Sequence, residues 1–200
     1  MTRTSSLPTR VRSHNVFTHD VELSLLAATT LVNTLPDASH SGDDELTTME
    51  QLDTWFEGEG FTGARLHTRD ELDSLRALRS RLRALWAAET DEQAVATVNA
   101  MLAEGGARPR LLDHDGLGWH IHANAPDAPL ADRVMVEIAM AWVDVLRQGE
   151  RGRMKRCAAD DCEAVLVDFS RNRSKRFCDV GNCGNRMNVR AFRARNAASA

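Results

Sequence analysis

All four cysteines of this 200-residue chain lie between positions 157 and 183, as Cys157-x4-Cys162, fifteen intervening residues, then Cys178-x4-Cys183. Two close thiol pairs separated by a hairpin-length segment suit a tetrahedral ion, because each pair supplies one edge of the tetrahedron from a tight turn. The pattern nominates Cys157, Cys162, Cys178 and Cys183 as metal ligands, with Zn2+ as the default occupant. Two other arrangements could use the same residues. Disulfides need an oxidising compartment, and the N-terminal MTRTSSLPTRVRSH lacks the apolar stretch of a secretory leader, so reduced thiols in the cytoplasm are expected. An iron–sulfur cluster also takes four thiolates, and spacing alone leaves it open. The x4 spacing is wider than the x2 of the commonest zinc knuckles.

Charge divides the chain at the same place. Residues 151–200 hold 12 Lys+Arg against 5 Asp+Glu, a net +7, while residues 1–150 hold 13 against 24, a net −11. A basic tail on an acidic body points to a polyanion partner for the tail and argues against a nonspecific nucleic-acid coat. Only two of the 25 basic residues are lysines, a bias that codon usage alone can produce, so it carries little functional weight. The chain is long enough for one sizeable domain plus a small appendage. At 42% hydrophobic and 27% charged, it has no apolar run near the roughly 20 residues of a membrane span.

Periodicity predicts a mostly helical body. Residues 1–15 read as frayed. Val21, Leu25, Ala28 and Val32 give a helix near 20–34, stopped by Leu35-Pro36, and 37–46 reads as a loop. A short helix follows over about 48–57, with Leu52, Trp55 and Phe56. Thr68-x-x-Glu71 caps the clearest helix, whose Leu72, Leu75, Leu78, Leu82, Leu85 and Trp86 form one stripe. Arg76, Arg79, Arg81 and Arg83 read as its solvated face. Thr90-x-x-Gln93 starts another helix through Met101. The period then changes: Arg110 to Asp113, a turn at Asp115-Gly116, and Trp119 to His122 predict a hairpin. After a break at Pro126 to Pro129, residues 130–147 form a strongly apolar helix whose face either stays inside the chain or forms part of a homodimer surface. Gly149 and Gly152 place a domain boundary near 150, giving a body of 1–150 and a finger of 151–200.

No catalytic constellation is visible. His120 and His122 would share one strand face, and without a third ligand nearby they read as half-buried, satisfied imidazoles rather than a metal pair. Gly-rich phosphate loops, HExxH and GxSxG are absent from the sequence, so an enzyme is not expected.

Between the thiol pairs, Val165 to Phe169 and Lys175 to Cys178 look like two short strands around an exposed basic turn, with Phe169 and Phe177 filling a tiny core that depends on the metal. After Cys183 the chain turns helical. At about 100° per residue Arg186, Arg190 and Arg193 fall within about 60° of one another. Such a stripe suits a major groove or a run of phosphates, with Arg171, Arg173, Lys175 and Arg176 holding the backbone of double-stranded DNA. Basic residues there also offset the −2 charge of zinc with four thiolates, and a ribbon of this kind can serve as a protein-interaction adaptor instead.

The string Asp168-x-Ser170-Arg171-Asn172-x-Ser174-x-Arg176-x-Cys178 followed by Cys183-Gly184-Asn185-Arg186 closely resembles the CGNR zinc finger, named for those last four letters. Upstream, Phe17, Leu31-Val32-Asn33-Thr34-Leu35, Leu52-x-x-Trp55-Phe56, the long Leu/Arg helix and Val98-Asn99 resemble the ABATE domain that precedes this finger. The resemblance covers nearly the whole chain. It implies a stress-induced bacterial transcription regulator with a DNA-binding finger and an N-terminal domain that senses an unidentified small-molecule ligand. Carried over residue by residue, the zinc ligands are Cys157, Cys162, Cys178 and Cys183. Two positions depart from the family pattern. Phe177 stands where tryptophan is usual, and Asn188 stands where a lysine commonly follows the motif, which removes one phosphate contact. The expected fold is α+β: a mainly helical N-terminal domain with a small β-hairpin, then a four-cysteine zinc ribbon ending in a helix.

Overall fold

The computed structural model describes residues 16–113, 119–125 and 127–198, so the expected frayed segment 1–15, the Asp115-Gly116 turn and Pro126 lie outside the described residues. Four helices come first: α1 (His19–Val32), α2 (Met49–Gly58), α3 (Arg69–Ala87) and α4 (Asp91–Glu104). Threonine starts three of them, the Oγ of Thr48, Thr68 and Thr90 each accepting the N–H three residues on. The full reciprocal capping box forms at Thr48 and Gln51, which the sequence reading passed over. At Thr68 the predicted return bond is diverted, because Glu71 takes the N–H groups of Leu66 and His67 and the guanidinium of Arg65 instead.

The antiparallel hairpin of β1 (Arg110–Asp113) and β2 (Trp119–His122) leads into α5 (Leu130–Arg147), the centre of the molecule. Its Val134, Ile138, Trp142 and Val145 are fully buried, and α1, α3 and α4 pack around it. Trp86 of α3 meets Trp142 edge to face, with ring centroids 5.4 Å apart. The apolar face of α5 is therefore covered within the chain. None of the exposed large hydrophobic residues among the described ones belongs to α5.

The arginines of α3 depart from a solvated face. Arg79 is 3% exposed and clasps Asp44 through both Nη atoms, at 2.7 and 2.9 Å, while also donating to Thr34. That guanidinium holds the Asp44 carboxyl well below the ordinary carboxylate range. Arg76 also reaches Asp44, Arg81 pairs with Glu104, and Arg83 grips Asp37 and reaches Glu163. The stripe opposite the leucines stitches α3 to the 34–44 loop, to α4 and to the finger.

After a 3-10 turn (Arg151–Arg153) come β3 (Met154–Arg156), β4 (Val165–Val167) and α6 (Cys183–Ala198). β4 pairs with β3, ahead of the first cysteine, in the register Met154↔Val167. The expected second strand at 175–178 is irregular, its backbone engaged elsewhere: Lys175 N–H goes to Asp168 and the Arg176 carbonyl accepts from Ala158. Strand alternation splits the hairpin between two cores. Met154, Val165 and Val167 enter the helical core, whereas Leu166 turns toward the cysteines with Ala38, Ala159 and Ala164. Phe169 likewise joins the body, edge-on to Phe17 at 6.3 Å, so of the two phenylalanines expected to fill the finger's small core only Phe177 packs beside the thiols.

Two side chains of the body act on β4 as a neighbouring strand would. Asn33, just past α1, accepts the Val165 N–H at 2.8 Å and donates to its carbonyl at 2.9 Å, while Trp86 Nε1 donates to Leu166 O at 3.1 Å. Replacing Asn33 by Ala strands a buried donor and a buried acceptor, so a loss of about 2–4 kcal/mol in urea-unfolding stability is expected. Trp86→Phe, which leaves one acceptor bare, is expected to cost less.

Candidate metal centre and basic face

The Sγ atoms of Cys157, Cys162, Cys178 and Cys183 all lie within 4.8 Å of one another, and none is in a disulfide. Cys162 and Cys178 are 3.7 Å apart and Cys178 and Cys183 3.6 Å, matching the roughly 3.8 Å edge of a tetrahedron with 2.3 Å metal–sulfur bonds. Three of the four are buried and Cys162 is half-buried. Among the described residues this is the one group of three or more metal-ligating side chains. The donor set and its spacing fit a metal ion with a closed four-thiolate shell.

Local structure places each ligand. Cys157 leaves β3 with its N–H on the Ala164 carbonyl, and Cys162 closes a turn onto Ala159 O. Cys178 N–H donates to Cys157 Sγ at 3.4 Å. Asn182, at φ 52°, turns the chain so that Cys183 opens α6. A Cβ at Gly184 would stand 3.4 Å from the Phe177 ring, so the first turn of α6 lies directly against it. Phe177 thus packs on the glycine that follows the last cysteine.

Charge around the thiols is arranged unevenly. Burial pushes the Cys162 and Cys178 thiols up. Burial opposes the Cys183 thiolate as well, but Arg186 and the neighbouring thiols outweigh it and bring that thiol down. Arg186 Nη2 sits 3.1 Å from Cys183 Sγ while its Nη1 holds Asp161 at 2.9 Å. The arginine of the motif is thus bound to its own cysteine. Arg190 also turns to this acidic corner, 3.4 Å from Asp161 and 3.8 Å from Asp160.

In the turn between the two cysteine pairs stands Asp168, fully buried. It accepts from Lys155 Nζ at 2.6 Å, from the N–H and Oγ of Ser170, and from Lys175 N–H. Burial works against its charge, yet Lys155 and Ser170 prevail and take its pKa to about 2. Lys155 caps the carbonyls of Arg173 and Lys175 as well, so one ammonium shapes the turn between the cysteine pairs. Sequence reading named Asp168 only as a letter of the motif and missed Lys155 and Asp161.

The seven basic residues proposed for nucleic acid occupy two groups. On the turn, Arg171 is exposed and has no side-chain partner among the described residues, Arg173 pairs with Glu150 at 2.9 Å, Lys175 pairs with Asp179, and Arg176 lies over the Phe177 ring at 5.6 Å. On α6, Arg186 and Arg190 share Asp161, and Arg193, one turn further out, is exposed and unpaired among the described residues. The histidine pair lies elsewhere, on β2, with Nε2 atoms 2.9 Å apart and, among the described residues, outside any cluster of three ligands.

Residues 26–149 match the ABATE family model, described as "Putative stress-induced transcription regulator", and residues 153–196 match the CGNR zinc finger. The chain belongs to the ABATE family. Among curated proteins no relative matches it. Both family types are regulatory or zinc-finger types rather than enzymatic ones. Among the described residues, no helix of this ABATE chain is long and apolar enough to cross a membrane.

Because β3 and β4 are anchored in the body, stripping the metal with a chelator is expected to make four thiols titratable while leaving most of the far-UV helical signal. The Asp168 carboxylate contributes stability that is complete above about pH 4 and lost as the pH falls through its folded pKa of about 2. Asp168→Asn removes that contribution at neutral pH, and a loss of about 3 kcal/mol in urea-unfolding stability is expected, with faster metal release.

Proposed function

We propose that this ABATE chain is a cytoplasmic, DNA-binding transcription regulator in which a zinc ion holds a 151–200 finger against double-stranded DNA and the 1–150 body responds to a small molecule. The observation that carries this reading is the stance of α6. Its Cys183 and Met187 face rests on the thiol cluster, and the remaining helix surface is exposed in a segment of net +7 charge. Arg193, Arg171 and Arg176 are the most available cations, while Arg186 and Arg190 are held by Asp161 on the same side of the helix. Arg173 and Lys175 flank the turn. An acidic body repelled by phosphates would keep the finger foremost. Catalysis is not part of the reading, since four thiolates fill a tetrahedral shell and leave no position for a substrate.

A protein-interaction adaptor is the second reading. Val189 and Phe192, 41% and 58% exposed, are adjacent on α6 and offer an apolar contact unusual on a pure phosphate binder. They could equally meet thymine methyl groups in a major groove. The two readings separate in a selection of genomic fragments by zinc-loaded protein at near-physiological salt, with Cys183→Ser as control. Discrete, metal-dependent sites support the regulator; diffuse, salt-labile recovery supports the adaptor. For a regulator, Arg193→Ala is expected to weaken binding and to lower the slope of log affinity against log salt by about 1 in magnitude. Arg186→Ala is expected to act first on metal retention, read by release of zinc to a colorimetric chelator.

A further inference from the structure

A cavity of about 390 Å³ opens between α1, α5, the β1–β2 hairpin and the 59–63 loop, on a different part of the body from the thiols. Its volume lies in the range of small-molecule sites, about 300–1,000 Å³. Its walls combine two features that rarely remain bare together. Leu23 and Leu112 are large apolar side chains left 41% and 36% exposed, and both line this cavity. Alongside them α1 contributes Asp20, and α5 contributes Glu137 and Asp144, seven residues apart on one helical face.

The charges in the wall are not balanced in place. Two of the three arginines in the wall are committed to backbone: Arg133, 7% exposed, donates through its two Nη atoms to the carbonyls of Thr62 and Ala64, leaving only its Nε without an acceptor among the described residues, and Arg110 donates to Asn124 O; the third, Arg147, acts on Asp144 only at longer range. Among the described residues, Asp20, Glu137 and Asp144 have no ion pair within 4 Å and accept no side-chain hydrogen bond. Burial in the concave wall pushes the Glu137 and Asp144 carboxyls up, and the Asp20 charge adds to both, while Arg133, His120 and Arg147 relieve them only at longer range. A further acceptor, Asn124 Oδ1, is buried in the same wall without a donor.

Unspent negative charge beside an uncovered apolar surface calls for a ligand carrying both complements. We infer that this cavity binds an amphipathic organic cation, its protonated amine set among Asp20, Glu137 and Asp144 and its apolar body under Leu112 against Leu23. As an effector site it rests on the regulator reading above; as a binding site it does not.

The test is calorimetric titration of the zinc-loaded full chain with 4-phenylbutylamine, its neutral counterpart 4-phenylbutanol and its anionic counterpart 4-phenylbutyrate. The amine is expected to bind at least tenfold more tightly than the alcohol, and the carboxylate not measurably. Glu137→Gln with Asp144→Asn is expected to abolish that preference while leaving the alcohol's affinity in place. Equal affinities, a preference for the carboxylate through the arginines, or no binding of the amine would overturn the assignment, and these comparisons on unaltered protein stand even if the double variant fails to fold. No DNA enters the measurement, so failure of the regulator reading leaves its outcome intact; a change of DNA affinity with saturating amine reports the regulatory role separately.

Discussion

The joint between Asn33 and β4 governs the arrangement of the whole molecule. A primary amide carries N–H donors and a carbonyl acceptor in the spacing of a peptide group, and here Asn33 supplies one of each to Val165 at an edge that would otherwise lie unpaired inside the protein. The three-residue strand is too short to persist as an isolated ladder. Asn33, the Trp86 N–H and the burial of Val165 and Val167 in the helical core keep it in place. The finger therefore begins inside the body. Its first half belongs to the body's hydrophobic interior, and its second half hangs on the thiols.

That division assigns separate tasks to neighbouring basic residues. Lys155 and Asp168 organise the turn between the cysteine pairs, Arg186 answers the negative charge of the cluster, and the outward cations are left on Arg171, Arg176 and Arg193. A uniform arginine stripe on a helical wheel conceals this order, because a wheel shows direction but not who stands opposite. Asp161 stands opposite, contributed by the short loop between Cys157 and Cys162.

What the sequence disclosed follows the range of the interactions involved. The cysteine spacing, the threonine caps of α3 and α4, the leucine stripe of α3 and the helix beginning at Cys183 are all settled within a few residues, and each was legible. The role of Arg79 was not, since its partner Asp44 lies 35 positions away in a loop without periodicity. The pairing of β4 was hidden for a related reason: β3 is three residues long with two of them charged, and the Asn33 that completes the ladder is 132 residues distant. Phe169 and Phe177 look equivalent in the sequence, and only the fold sends one into the body and the other to the thiols.

Helix α1 touches both ends of this architecture. Asp20, Ser24 and Ala27 line the cavity, and Asn33, directly after its last turn, carries β4. Fourteen residues of helix span about 21 Å, a length over which an α-helix behaves as a nearly rigid rod. A tilt at the cavity end would therefore be delivered to the amide that holds the strand, without any unfolding in between. The body and the finger are joined by a lever rather than a tether.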